Sequence, residues 1–385
     1  MEFGRVERIG REHVPGVLSQ KAPIRHLDLS LVLTAGAITA FGCLMVWSAS
    51  HARLEAEGLS GRFLFDRQVV FSLVGFGAMI ATAAFSYRRL KAWGPLVYVA
   101  GIALLAAVLT SFGSSSAGAQ RWIDIGFLQF QPSEFAKLGV LVVVALILGE
   151  QRGDPGAVHI LSAVALTTLP AILIYLQPDL GTLLAFVAIL TAQLVLAGTR
   201  ARVLLLLVVL GVVAVIGVLH LGLLQDYQLA RLTGFLDPTA DPQRTGYNLN
   251  QAMIAVGSGQ MMGKGLFTGS QTNLDFVPEV HTDFIFTAIG EELGFIGAVV
   301  LLALFTILLW RGLRIAMMSK DLFGTLLAGG VVAMLAFQMF INIGMTIGVS
   351  PITGIPLPFV SYGGSSMLTT WVATGILLNV HMRRL

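Results

Sequence analysis

The sequence predicts an all-α polytopic membrane protein, a bundle of about ten transmembrane helices with a long extracellular loop between the seventh and the eighth. Three observations predict it. The chain of 385 residues is 56% hydrophobic and 12% charged, whereas ordinary soluble domains are roughly 25% charged. Its apolar residues fall in runs of about 20, the length a helix needs to cross hydrocarbon, where no water can satisfy its backbone. Its 24 Lys and Arg residues are also unevenly placed: with the N-terminus inside, sixteen fall in cytoplasmic segments and seven in outer ones, with Lys137 at a helix start. That bias follows the positive-inside rule and places both termini in the cytoplasm.

Residues 1–27 carry Arg5, Arg8, Arg11, Lys21 and Arg25 among acidic residues, without a short apolar core and small-residue cleavage site. They read as a cytoplasmic tail. The ten apolar runs lie near 28–49, 68–86, 94–112, 134–149, 157–176, 180–199, 201–224, 283–310, 324–349 and 366–381. Most connections are short, so residues 28–385 read as one membrane domain.

Two outer connections are longer, Gly113 to Ser133 and the loop 225–282. Long ordered connections are more often functional than short ones. The second holds Tyr227, Phe235, Tyr247, Met253 and Phe267 among turn residues, which suits short interfacial helices. Gly290, Gly294 and Gly297 stand at helical spacing in the eighth run, where small residues let helices approach closely. Cys43 is the single cysteine, so it forms no intramolecular disulfide and packs as a small hydrophobe. The net charge of +3 follows from the loop bias and gives no reason to expect a nucleic-acid partner.

Charges within spans are expensive and face a cavity or a partner. Here they are Glu134 with Lys137, Asp179, Asp283, and Glu291 with Glu292. Glu134 and Lys137, three apart, share a helix face and suit an ion pair, structural or functional. Asp179 follows Pro178 in YLQPDLGT, where it is either an N-cap of the sixth helix or part of a site. Asp283 opens the eighth helix beneath the long loop, a place that fits both capping and catalysis. Glu291 lies about 12 Å further along that helix and about 80° round, with Glu292 near the opposite side. At most one of the two glutamates is therefore expected in the cavity of Asp283. Glu279, His281 and Asp283 alternate, and oxygen and imidazole ligands so spaced suit a divalent cation such as Mg or Mn. No Walker loop, dinucleotide fingerprint, zinc motif or hydrolase elbow stands in a suitable context, and no Asp-x-Asp pair of the nucleotide-sugar kind is present. No nucleotide or organic cofactor is expected.

Four stretches carry a resemblance: GAQRWIDIGFLQFQPSEFAKLG at 118–139, YLQPDLGT at 175–182, GYNLNQAMIAVGSGQMMGKGLFTGSQTNLDFVPEVHTDFIFTAIGEELG at 246–294, and GIPLPFVSYGGSSM at 354–367. Together, in order between ten spans, they resemble the SEDS family of bacterial cell-wall polymerases, which includes the rod-shape protein RodA and the division protein FtsW. The long-loop block is worded more like RodA.

The resemblance implies a peptidoglycan glycosyltransferase of the bacterial cytoplasmic membrane. Such an enzyme polymerises lipid II into glycan strands on the outer face and releases undecaprenyl pyrophosphate, for cell elongation and shape. It also implies a class B penicillin-binding protein as transpeptidase partner. Asp283 matches the aspartate of the family's HTDFIF block, where a carboxylate suits a general base for the acceptor's 4-hydroxyl. Arg121 and Trp122 carry over from the Arg-Trp block, and Glu134 and Lys137 from the Pro-Ser-Glu block. The leaving pyrophosphate needs countercharge, for which Arg121, Lys137, Arg231, Arg244 and Lys264 are the outer cations. Ser361, Gly363, Gly364 and Ser365 either offer N–H and hydroxyl groups to phosphate or form a re-entrant turn. The competing reading is a lipid II flippase or another transporter, which would keep its charges near the midplane.

Overall fold

The computed structural model describes residues 26–384, apart from 117–118, 127, 152, 223–225, 238–245 and 275. The tail through residue 25 and Arg244 therefore lie outside the described residues. Ten long helices form a bundle: α1 (Leu29–Ala56), α2 (Phe63–Ala84), α3 (Tyr87–Val108), α4 (Pro132–Gly149), α5 (Ala157–Leu176), α6 (Leu180–Leu196), α7 (Ala201–His220), α11 (Ile285–Met317), α12 (Leu322–Thr346) and α13 (Gly364–Met382). They match the ten apolar runs, with boundaries that differ by several residues. Among the described residues, eight are long and apolar enough to cross a membrane. The exceptions are α6, with 17 residues, and α13, which carries Ser, Thr, Asn and His yet is almost wholly buried.

Burial sorts the bundle into an inner and an outer layer. Nearly all of α4, α12 and α13 is buried, with α2 and α11 packed against α13 and α12. By contrast α7 has no buried residue and touches α6 only lightly. Its Leu- and Val-rich surface suits lipid on nearly every side.

Both long outer connections hold more structure than loops. The segment from Gly113 to Ser133 contains a small antiparallel sheet, order β1–β2–β3, made of β1 (Ser114–Ser116), β2 (Ala119–Ile125) and β3 (Leu128–Phe130). The sheet is a small addition to a chain that is otherwise helical, as expected. In the register Ile123 faces Phe130 and Asp124 faces Gln129. The segment 225–282 contains three short helices, α8 (Asp226–Leu236), α9 (Tyr247–Ser258) and α10 (Ser270–Asn273), as its scattered apolar residues suggested.

Buried amide and charged side chains hold the bundle at its breaks. Gln193 Nε2 of α6 donates to the carbonyls of Leu141 at 2.9 Å and Leu326 at 3.2 Å, joining α4 to α12. Asn379 of α13 donates to the carbonyls of Thr82 and Phe85 and accepts from the Tyr87 N–H at 2.8 Å, closing the turn between α2 and α3. Asp28 caps α1 through the Leu31 N–H at 3.1 Å and takes the Arg311 guanidinium of α11. Glu134 and Lys137 form the expected ion pair at 2.6 Å, both about 2% exposed, and Glu134 also accepts from Thr369 of α13 at 3.0 Å.

The glycine pattern in α11 serves two purposes. Gly290 packs closely on Val256 of α9, as expected of a small residue. Gly294 instead breaks the helix, with φ 62° and ψ −159°, a region essentially closed to other residues. The break frees backbone groups that residues 260–265 take up. The N–H groups of Lys264 and Gly265 donate to Glu291 and Glu292 at 3.0 Å, and those of Phe295 and Ile296 to Gln260 at 2.8 Å and Met261 at 3.1 Å. A Cβ on Gly294 would lie 2.3 Å from the Gly263 nitrogen.

Two predictions follow from this packing. Lys137→Met leaves the Glu134 carboxylate buried without its cation, a change that costs about 3–5 kcal/mol; thermal unfolding in detergent should show a marked loss, and the double variant Glu134→Gln/Lys137→Met should recover most of it. Gly294→Ala adds about 1–3 kcal/mol of backbone strain and a clash with the spliced loop; proteolysis between residues 260 and 275 should become faster than in the wild type.

Candidate active site

Asp283 stands in the turn just before α11, half-buried beneath the outer segments. Its carbonyl accepts from Asn342 Nδ2 at 2.8 Å, and the same amide nitrogen donates to the Ile355 carbonyl at 2.8 Å. Asn342 is wholly buried in α12, so one side chain pins the aspartate's backbone to the irregular segment before α13. On the other side the carboxylate lies against Gly354, where a Cβ would come within 3.3 Å of Oδ2.

The expected capping role is absent. The helix begins at Ile285 with Phe284 in the cap position and no side-chain cap, and no hydrogen bond reaches the Asp283 carboxylate among the described residues. Burial therefore dominates its acidity and, with the nearby charges of Glu279 and Asp179, pushes it up; the positive charges of Arg231 and Arg121 work in the opposite direction. The result is a carboxyl that titrates at about 6, well placed to be ionised at neutral pH yet basic enough to take a proton.

Arg121 of β2 is held by the end of α5. Its guanidinium donates to the carbonyls of Gln177, at 3.2 Å, and Pro178. Gln177 is itself anchored by its Nε2 to the Leu105 carbonyl at 2.7 Å. Asp179 next to it caps α6, accepting from the Thr182 N–H at 3.2 Å and its hydroxyl at 2.9 Å, with Ser133 of α4 at 3.5 Å. Asp179 is therefore a cap whose charge is also felt at Asp283. The starts of α4, α6 and α13 meet here, since Ser365 of α13 accepts from the Gln131 N–H at 2.9 Å and donates to the Gln129 carbonyl at 3.3 Å. Helix N-termini carry partial positive charge.

Other expected site residues are engaged elsewhere. Lys264 pairs with Glu291 at 2.7 Å and bonds Ser270 at 2.8 Å. Glu291 is fully buried and accepts in addition from the N–H groups of Gln271, at 2.9 Å, and Thr272, at 3.0 Å, and from the Thr272 hydroxyl. Glu292 accepts from Ser48 of α1. Neither glutamate shares the surroundings of Asp283; both fasten the long loop and α1 to α11. The Ser361 hydroxyl accepts from the Leu357 N–H at 2.8 Å, and the Gly363 N–H donates to Gln68 Oε1 at 3.3 Å. With Gly364 starting α13, these residues form the re-entrant turn.

Trp122 is half-buried on β2, paired with Ser114 in the sheet. His281 is tied to the same turn: its carbonyl accepts from the Tyr362 N–H at 2.9 Å and its ring lies 5.8 Å from the Tyr362 ring. Glu279 is exposed, has φ 57° and accepts from the Thr282 hydroxyl at 3.1 Å. Among the described residues no three His, Cys, Asp or Glu side chains converge on a metal-holding position. Glu279, His281 and Asp283 thus alternate along the chain without forming a ligand set. Sequence reasoning missed Asn342 and Gly354, which fix the aspartate from 59 and 71 positions away and carry no local signal.

A family model described as Cell cycle protein, covering FtsW, RodA and SpoVE, matches residues 28–385. The peptidoglycan glycosyltransferase MrdB of Escherichia coli K12 is 39% identical over 359 residues, covering 93% of this chain and 94% of the relative. A probable peptidoglycan glycosyltransferase FtsW of Trichlorobacter lovleyi is 37% identical over 370 residues, 94% of this chain and 95% of the relative. Among solved structures, a peptidoglycan synthase complex studied for the coordination of polymerization and crosslinking superposes with a TM-score of 0.77 at 33% identity, covering 93% of this chain and 98% of the other. The crystal structure of the rod shape determining protein RodA of Thermus thermophilus gives 0.69 at 31% identity, covering 93% and 97%. Sequence match, relatives and shared architecture agree along nearly the whole chain, which belongs to the FtsW, RodA and SpoVE family of multi-pass membrane proteins.

Proposed function

We propose that this chain is a peptidoglycan glycosyltransferase that polymerises lipid II on the outer face of the bacterial cytoplasmic membrane, with Asp283 as general base. The observation that carries the reading is the Asp283 carboxyl itself. It is half-buried, is not consumed by capping, and titrates at about 6. As the acceptor's 4-hydroxyl oxygen attacks the anomeric carbon of the donor, Asp283 takes the hydroxyl proton, the glycosidic bond forms, and the bond from that carbon to the lipid pyrophosphate breaks. Undecaprenyl pyrophosphate leaves with the electron pair. Arg121 and Arg231, whose charges already reach Asp283, supply countercharge to it, and Arg121 is preorganised by its two carbonyl contacts. Trp122, beside Arg121 on β2, and Lys137, which the substrate reaches by opening its buried pair with Glu134 at the start of α4, complete the proposed substrate contacts.

The protein's own donors do not fit a metal cage, so no step is routed through a divalent cation; Mg or Mn enters the proposal only as a companion to the substrate's pyrophosphate. Both termini are assigned to the cytoplasm by the charge bias. The partner is a class B penicillin-binding protein, a choice supported by likeness to a chain of a peptidoglycan synthase complex. A flippase is the poorer fit, because Asp283, Asp179 and Arg121 lie at helix ends and in a surface sheet, not midway along the spans.

The deciding experiment is glycan-strand formation from purified lipid II, with and without a class B partner and divalent ions. Wild type should give polymer, and Asp283→Asn should lower the rate at least about 100-fold while still binding the partner. Polymer from both would remove Asp283 from the mechanism, and movement of lipid II across vesicles without polymer would favour the flippase. The rate should rise with pH through about 6, as Asp283 loses its proton, and then level off. In Glu279→Gln the inflection should move to lower pH, since a like charge that raises the pKa is gone. The raised pKa also means that the fold favours the protonated form, a stabilisation lost as pH rises through about 6. Above that pH, Asp283→Asn should unfold at a temperature no lower than the wild type.

A further inference from the structure

The outer ends of α1 and α2 and the segment bearing Phe267 enclose an open cleft of about 410 Å³, lined by Trp47, His51, Glu55, Ser60, Arg62 and Phe267 among others. None of these residues takes part in the site at Asp283. The 28 residues of α1 extend about 42 Å at 1.5 Å each, beyond a hydrocarbon core of about 30 Å. Its last turns therefore stand in the outer interface. Trp47, His51 and Glu55 follow one another at intervals of four, so they form a stripe on one face of those turns.

The walls are aromatic and the fittings polar. The Phe267 ring lies 4.9 Å from both Trp47 and His51, edge-on to each, and the Arg62 guanidinium sits 4.7 Å from the Trp47 ring centre. Phe267 holds its place at φ 65°, a conformation that a bulky residue seldom adopts and that marks functional positions. Its N–H is fixed by Ser48 Oγ at 2.8 Å.

Asp28 meets Arg311 and Ser48 meets Glu292, so α1 runs antiparallel to α11 and its last turns, with the cleft, stand toward the same outer end of the bundle as Asp283.

We propose that this cleft is a saccharide subsite that holds the product glycan strand between additions, an inference that rests on the glycosyltransferase reading. A pyranose presents apolar C–H faces rimmed by hydroxyls. Aromatic walls meet the faces, while Glu55, Arg62, His51 and Ser60 supply both acceptors and donors to the rim. Simple anchoring of Trp47 at the interface accounts for neither the His51 and Glu55 stripe nor the backbone of Phe267.

The test uses full-length protein in nanodiscs with chitotetraose, a β-1,4-linked N-acetylglucosamine tetramer, as the probe. Binding is followed by saturation-transfer NMR, and strand length by gel analysis of polymer from lipid II. Wild type should bind the probe; Trp47→Leu and the surface change Glu55→Gln should each weaken binding about tenfold and shorten the strands. Asp283→Asn should bind it like wild type while making no polymer. Probe binding by a wild type that makes no polymer would uphold the cleft and overturn the polymerase reading. No probe binding by a polymer-forming wild type, or unchanged binding and strand length in Glu55→Gln, would overturn the cleft alone.

Discussion

A peptide group that leaves its helix at membrane depth must find another partner, since the hydrocarbon supplies none. Three irregular stretches among the described residues meet that demand. Where α5 ends, Gln177 donates to Leu105 and the Gln177 and Pro178 carbonyls receive Arg121. Where the chain re-enters before α13, Gln68 takes the Ser361 carbonyl and the Gly363 N–H. Where α11 begins, Asn342 bridges the Asp283 and Ile355 carbonyls. The site lies among these breaks because only there does backbone, and with it a carboxylate, stand free of a regular ladder.

The same demand separates the carboxylates into two kinds. Asp179, Glu134 and Glu291 are buried and surrounded by donors: a helix N-terminus, a lysine and a threonine, and a lysine with two backbone N–H groups. Such groups hold elements together. Asp283 has the burial without the donors, and the charges of Arg231 and Arg121 only partly offset it. At Asp283 desolvation therefore wins, and its carboxyl takes up a proton more readily than an exposed one.

Much of this was legible in the sequence. Spans announce themselves because hydrocarbon tolerates so few polar residues, and Asp179 after Pro178 or Glu134 before Lys137 are local patterns whose partners lie within four positions. The rest depends on distant pairings. Glu291 and Lys264 are 27 residues apart, and nothing in the loop's wording says that its lysine faces a buried glutamate and not a substrate. Gly294 sat in a small-residue stripe that reads as packing, and its break shows only once residues 260–265 fill the vacated backbone positions. The sheet at 114–130 was hidden by strands of three, seven and three residues, shorter than most alternation tests resolve.

Helix α11 emerges as the rod on which the outer structure is hung. At its inner end Arg311 fixes α1 through Asp28, and from Ile285 onward its first turns are buried, carrying Glu291 and Glu292 to the loop and to α1. The break at Gly294 lies just below those two glutamates. It lets the loop backbone join the helix directly, so the loop's position relative to Asp283 is set by four peptide hydrogen bonds and an ion pair to the buried Glu291. Surface salt bridges alone would hold a loop weakly. Splicing it into a spanning helix instead makes the geometry above Asp283 a property of the bundle, so that a force applied to the loop is transmitted to the turn carrying Asp283.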